Sequence, residues 1–428
     1  MASRFRAAEL LPLVPAAAVP LLFLHRSYQA HTSLGPIDVY SSDVAAGVVV
    51  LAALVAGARF GWAPLRRPLT LWILAGALLA LFLVSCFWQP LDHTTKHLVT
   101  AAKIVEYALL APAVVLLVRR RVDLDRFLWV FVGWNVAASG WGVLQFLGLV
   151  NEFFGKRPAQ REVSFLGIHD FAAFSAATLA VGLVGIALAE RRRLVTVATA
   201  TGIVGSILPA SVFAYSGIVL AALAAAIVGR RAGTLTARRA FALVAILGVV
   251  GAGIYELRGS DVTNFLSFLG HSPPTKTEEE NIQTGAQHVL LAYIGLRIWL
   301  DHPLLGVGLD RSTDRYGPYI AAAKRRFSNQ APSAFPSPQH RWGVQNFWAQ
   351  TLADTGVVGF ALALATFAAA LVLAVRAIRV RRFAGLVAAA WILVAAATWN
   401  AIGIIAGNPL EALTWLSFGL AGAVGYLE

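Results

Sequence analysis

A single cysteine, Cys86, rules out any disulfide within the chain, and its place in an apolar run argues against redox chemistry. Charge is scarce as well. Only 13% of the 428 residues are Asp, Glu, Lys or Arg, about half the share of an ordinary soluble domain. No internal repeat is visible, and no inverted pair of broken helices, so the signature of a secondary transporter is missing. Nor does any group of Cys, His, Asp and Glu have convincing metal-ligand spacing. His93 and His97 stand four apart, but two histidines alone make a weak metal site. The apolar run Leu10 to Leu24 is followed by no small-residue cleavage site, so it is expected to be a membrane span and not a secretory leader.

What the chain does contain is hydrophobic length. The composition is 58% hydrophobic, with a mean hydropathy of +0.69. Apolar runs long enough for a hydrocarbon core of about 30 Å recur throughout. The expected spans are Leu10–Leu24, Val44–Phe60, Leu69–Trp88, Leu98–Val118, Phe127–Leu149, Asp170–Ala189, Val195–Pro209, Ser211–Val228, Ala240–Tyr255, Phe347–Val375, Phe383–Ile405 and Leu410–Leu427. The expected fold is therefore all-α: a polytopic transmembrane bundle of about twelve spans. Residues 1–255 would hold nine of them and residues 347–428 the last three, with 256–346 between as one large external loop. The net charge of +13 lies mostly in short arginine-rich loops, such as Arg119 to Arg121, Arg230, Arg231, Arg238, Arg239 and Arg376 to Arg382. These loops alternate along the chain, which is the positive-inside pattern. That pattern sets orientation with both termini cytoplasmic, and it removes a nucleic-acid partner.

The long stretch Glu256–Asn346 is expected to be external, and loops of such length are usually functional or disordered. Within it, Val289 to Leu300 is apolar but too short to span, which suits a short interfacial helix. All nine histidines, His25, His31, His93, His97, His169, His271, His288, His302 and His340, fall on the external side or at external span ends. Two explanations stand: short cytoplasmic loops leave histidine nowhere else to go, or an external site uses imidazoles. Lys103 and Glu106 lie one turn apart inside the fourth span. They form either a simple i,i+3 ion pair or part of a cavity that receives an anionic group. The seventh and eighth spans meet at Pro209–Gly217 with no room for a loop, and backbone groups left unpaired there need cover from protein or water.

Three short elements resemble the O-antigen ligase and O-antigen polymerase family of membrane glycosyltransferases. Pro303-Leu304-Leu305-Gly306-Val307-Gly308 matches that family's Pro-Leu-Leu-Gly-x-Gly element. Gln345-Asn346, Asp354 and Gly356 to Gly359 match its closing helix. Arg161 to Asp170 has the spacing of its Arg-x-x-Gly…Asn element, with Ser164 and Asp170 substituted. Three positions depart from the pattern: Gln345 replaces a common histidine, Tyr215 an arginine, and His288 a further arginine.

The resemblance implies glycan transfer from a polyprenyl-diphosphate-linked donor to a lipid or glycan acceptor, at the external face of a bacterial inner membrane and among membrane lipids. It implies no cofactor, and because diphosphate is already a good leaving group a metal is not obligatory. On this reading the catalytic candidates are His340, His288 and Gln345, with His340 as base and Asp310 or Asp314 as substitutes. The diphosphate would meet Lys103, Arg161, Tyr215, Arg311 and Arg341, since guanidinium forks suit phosphate oxygens. Lys324-Arg325-Arg326 reads as a patch facing lipid headgroups. A transporter or flippase, and a non-catalytic glycolipid-binding protein, are the competing classes.

Overall fold

A computed structural model describes residues 10–35, 37–88, 94–152, 155, 158–190, 192–269, 284–328, 330, 334–337, 343–404 and 408–427. In chain order the helices are α1 (Val14–Leu22), α2 (Ser41–Phe60), α3 (Leu69–Ser85), α4 (Thr94–Ala108), α5 (Leu110–Leu117), α6 (Arg121–Phe146), α7 (Ile168–Leu188) and α8 (Arg192–Ile207). They continue with α9 (Val212–Arg231), α10 (Ala237–Leu269), α11 (Thr284–Asp301), α12 (Gly317–Arg326), α13 (Phe347–Ile378), α14 (Arg382–Thr398) and α15 (Asn408–Val424). The fold is all-α. Among the described residues the only named strands form one small hairpin, β1 (His31–Leu34) against β2 (Ile37–Tyr40), antiparallel with His31 opposite Tyr40.

Among the described residues seven helical segments are long and apolar enough to cross a membrane: 41–60, 94–117, 121–146, 168–188, 212–231, 237–259 and 347–378. Five shorter apolar helices cover 11–22, 69–85, 193–207, 382–398 and 409–424. Each of these helices overlaps one of the twelve expected spans, and seven of them have the length and apolarity to cross. By length and composition the chain is a membrane-embedded helical protein.

Local chemistry sets where the helices begin. The Asp43 carboxylate accepts the Tyr40 amide at 2.7 Å, and Asp123 accepts that of Arg120 at 3.0 Å. Asn346 Oδ1 accepts Ala349 N at 2.9 Å, capping α13. Such caps satisfy orphan amides of the first turn.

The centre of the bundle is α7. It is 94% buried over its apolar window, whereas the window of α10 is only 17% buried, so α10 is peripheral. A helix apolar on every side is one enclosed by others, and α6, α8, α9 and α14 all pack on α7. The approach to α8 is close because small residues line it: a Cβ on Gly202 would come within 2.7 Å of the Leu179 backbone. Two buried hydrogen bonds tie α7 to its neighbours. Ser175 donates to Asn135 Oδ1 at 2.8 Å and Trp391 Nε1 to Ala177 O at 2.8 Å.

A second apolar cluster serves the long stretch before α13. Leu290, Leu291, Ile294 and Ile298 of α11 are fully buried against Val307, Tyr316, Phe335, Val344 and Ala353. The described part of the stretch is thus packed on the bundle through α13.

Two of the short motifs turn out to be partners. Helix α13 breaks at Gly356, and Pro303–Gly308 fills the break: Val307 N donates to Ala353 O at 3.0 Å, Gly308 N to Asp354 O at 2.7 Å, and Val357 N to Pro303 O at 2.8 Å. Gly306 (φ +64°) and Gly356 (φ +65°) sit in the left-handed region, and a Cβ on either would overlap the other strand's backbone, at Asp354 and Leu304. Gly306→Ala or Gly356→Ala should therefore cost about 2–4 kcal/mol, combining left-handed strain with overpacking. Thermal unfolding in detergent would measure this, and wild-type midpoints would refute the junction.

Candidate functional site

At one end of the bundle the α8–α9 break gathers ionisable side chains from four segments. Ala210 is left-handed (φ +46°), which turns the Pro209 and Ala210 carbonyls out of the helical ladder. Arg161 Nε donates to Pro209 O at 2.9 Å, and Arg258 Nη1 donates to Ala210 O at 3.2 Å. The two guanidiniums are anchored on adjacent carbonyls. Arg258 is brought there by its own backbone, which leaves helical geometry (φ −139°, ψ 21°) and kinks α10 at that residue.

Two imidazoles face this pair. His288, on α11, is 7% exposed, and its ring lies 6.4 Å from that of His169 and 6.0 Å from that of Phe213. His288 Nδ1 meets Gln345 O at 3.0 Å. A carbonyl only accepts, so Nδ1 carries the proton and Nε2 holds the lone pair. Nε2 has no hydrogen-bond partner among the described residues. Burial lowers the His288 pKa to about 4, opposed by the Gln345 bond and reinforced by Arg258 and Arg161. The ring is neutral at neutral pH, with a fixed tautomer and an available Nε2. The arrangement can stabilise an anion through two guanidiniums and accept a proton at one imidazole.

A second buried polar cluster surrounds Asp310. Its carboxylate lies 3.4 Å from Lys96 Nζ and 3.6 Å from His97 Nδ1, while His97 Nε2 is 3.6 Å from Asp314. Each ring nitrogen faces a different carboxylate, which is not the arrangement of a chelate, and no candidate metal group occurs among the described residues. Arg311 Nη2 donates to Cys86 O at 3.1 Å, and Asp354 accepts the Asp310 and Ser312 amides.

The candidates from sequence are therefore dispersed. Arg161 and His288 come together, and Gln345 joins them through its main chain. Arg311 belongs to the second cluster. Lys103 is engaged by Asp43 and, at 3.8 Å, by Glu106, so both the local pair and a second partner are realised. Tyr215 donates to Leu247 O at 3.0 Å and leans towards Gly251 of α10. His340 and Arg341 lie outside the described residues. Arg258 was not among the candidates, yet it carried a signal: it stands at the end of its span opposite to the arginine-rich loops.

No family model matches the chain, and no curated protein matches it.

Proposed function

We propose that this protein is a membrane glycosyltransferase of the O-antigen ligase type, acting on a polyprenyl-diphosphate-linked glycan at the external face. The observation that carries the reading is the pair of guanidiniums anchored at the α8–α9 break beside a neutral imidazole of fixed tautomer. An acceptor hydroxyl attacks the anomeric carbon, and the bond from that carbon to the diphosphate oxygen breaks. The hydroxyl proton passes to His288 Nε2. The electron pair leaves with the diphosphate, whose charge Arg161 and Arg258 stabilise. In this scheme the loss of histidine at 345 is made good from α11, because residue 345 contributes its carbonyl. The test is transfer of a labelled glycan from a polyprenyl-diphosphate donor by the purified protein in detergent. Absence of transfer to any lipid or glycan acceptor would remove the proposal.

The proposal includes twelve spans in a bacterial inner membrane, cytoplasmic termini and an external 256–346 stretch. In a Cys86→Ser background, an impermeant thiol reagent added outside should label Ser328→Cys and leave Thr236→Cys untouched. The reverse pattern would invert the topology and put the site on the wrong face.

Transport is favoured by one separate observation. Glu411 lies in an apolar cavity of about 40 Å³ between α3, α4, α13, α14 and α15, and buried acids in a membrane often mark an ion path. Donor flipping in vesicles without glycan transfer would select that reading.

A further inference from the structure

At the opposite end of the bundle from the candidate site, the chain forms a pocket of about 400 Å³. Helix α7 connects the two ends: His169 is in its first turn, Glu190 lies two residues past its last, and its 21 residues span about 30 Å. That distance is the thickness of a hydrocarbon core. The pocket therefore lies at headgroup depth.

Four arginines line it: Arg121 at the start of α6, and Arg379, Arg381 and Arg382 where α13 passes into α14. Among the described residues Glu190 is the one acid in its wall, and it forms no ion pair with these arginines. Arg381 Nη2 donates to Leu427 O at 2.9 Å, which fixes the guanidinium, while its Nε is buried without a partner. The pocket also holds the first turn of α14, which no side chain caps. Uncapped first-turn amides favour a phosphate oxygen. Beside it Val380 is 76% exposed, and Leu364, Val372 and Val375 are exposed along α13, so an apolar track leads down the helix from the basic pocket.

We infer that this pocket binds the phosphate of an anionic phospholipid headgroup, with the acyl chains lying along α13. The depth and the adjoining track select a lipid over a free phosphate of the same chemistry. The inference is independent of the transferase reading.

The experiment is native mass spectrometry of the full chain, delipidated and then offered phosphatidylglycerol or phosphatidylcholine. Phosphatidylglycerol should be retained selectively. Arg379→Gln with Arg382→Gln, both exposed positions, should weaken that retention by roughly twenty-five-fold, counting about fivefold for each arginine near a membrane surface. Arg379→Lys with Arg382→Lys keeps the charge that orients the chain but removes the forks, and should lose part of the selectivity. Labelling of Thr236→Cys checks that orientation is unchanged. Equal retention of the two lipids, or unchanged phosphatidylglycerol binding in the glutamine pair, would overturn the inference. So would inorganic phosphate binding the lipid-free protein and displacing phosphatidylglycerol completely, which would make the pocket a free-anion site.

Discussion

Replacing His288 by alanine is expected to lower glycan transfer by about 10²–10⁴-fold, the range of a lost general base. Donor affinity should barely move, because proton transfer is felt mainly in the transition state. Arg258→Ala should cost about 10²–10³-fold and also weaken donor binding, since it removes charge from both the bound and the leaving diphosphate. Arg258→Lys should recover only part of this loss. Gln345→His and Gln345→Ala should both stay near wild type, since the carbonyl to His288 Nδ1 belongs to the main chain. The pH dependence separates a base from a structural ring. With its pKa held near 4 by burial, His288 stays unprotonated well below the ordinary histidine range, so the acid limb of the rate profile should fall near pH 4 and not near 6.5. The same shift has a stability sign. The folded state binds fewer protons than the unfolded one between these values, so the contribution is full above pH 6.5 and is lost as pH falls through about 4, amounting to about 3 kcal/mol. Full activity in His288→Ala, with an unchanged profile, would take the ring out of the mechanism.

Twelve apolar helices were legible because a span requires a run of apolar residues that little else in a chain requires. The α8–α9 break was legible for a local reason: Pro209 offers no amide, and nothing between it and Gly217 allows a loop. Where packing decides, legibility ended. The span expected to stop at Tyr255 lies within a helix that runs on to Leu269, and the kink at Arg258 places its guanidinium on a carbonyl from residue 210. No pattern near residue 258 announces that partner. Lys103 shows the same limit. Its neighbour Glu106 is visible at i,i+3, whereas Asp43 comes from another helix sixty residues earlier. The Pro303–Gly308 and Gly356–Gly359 elements were recognisable as motifs, yet their spacing did not reveal that each completes the other's backbone hydrogen bonds. Among the candidate residues, those brought together are tied through main-chain carbonyls, which side-chain identity does not report.

Asp354→Ala is expected to destabilise the fold by about 2–6 kcal/mol, because two buried amides would each lose their acceptor at about 1–3 kcal/mol apiece. The Asp354 side chain accepts Asp310 N at 2.9 Å on one oxygen and Ser312 N at 3.0 Å on the other. Both residues are fully buried, and Asp310 is held at φ +60°, so that turn has no other way to satisfy its amides by relaxing into water. The same turn is tied to α3, where Leu309 N donates to Ser85 Oγ at 3.1 Å and Arg311 Nη2 to Cys86 O. Loosening it would detach the segment leading into α12 from three helices together. One term opposes the loss. The Asp310 carboxylate is a charged neighbour of Asp354, and removing one acid relieves that repulsion. Lys96 and His97 already face Asp310, so the relief is the smaller effect. Asp354→Asn keeps one acceptor and turns a donor towards the second amide, which places its cost near half that of alanine. Tryptophan fluorescence during thermal unfolding in detergent would rank wild type above Asn above Ala. Limited proteolysis should then cut between residues 303 and 346 first in Asp354→Ala. If both variants melted with the wild type, the carboxylate would not be what holds the turn, and the buried cluster around His97 would have to be self-sufficient.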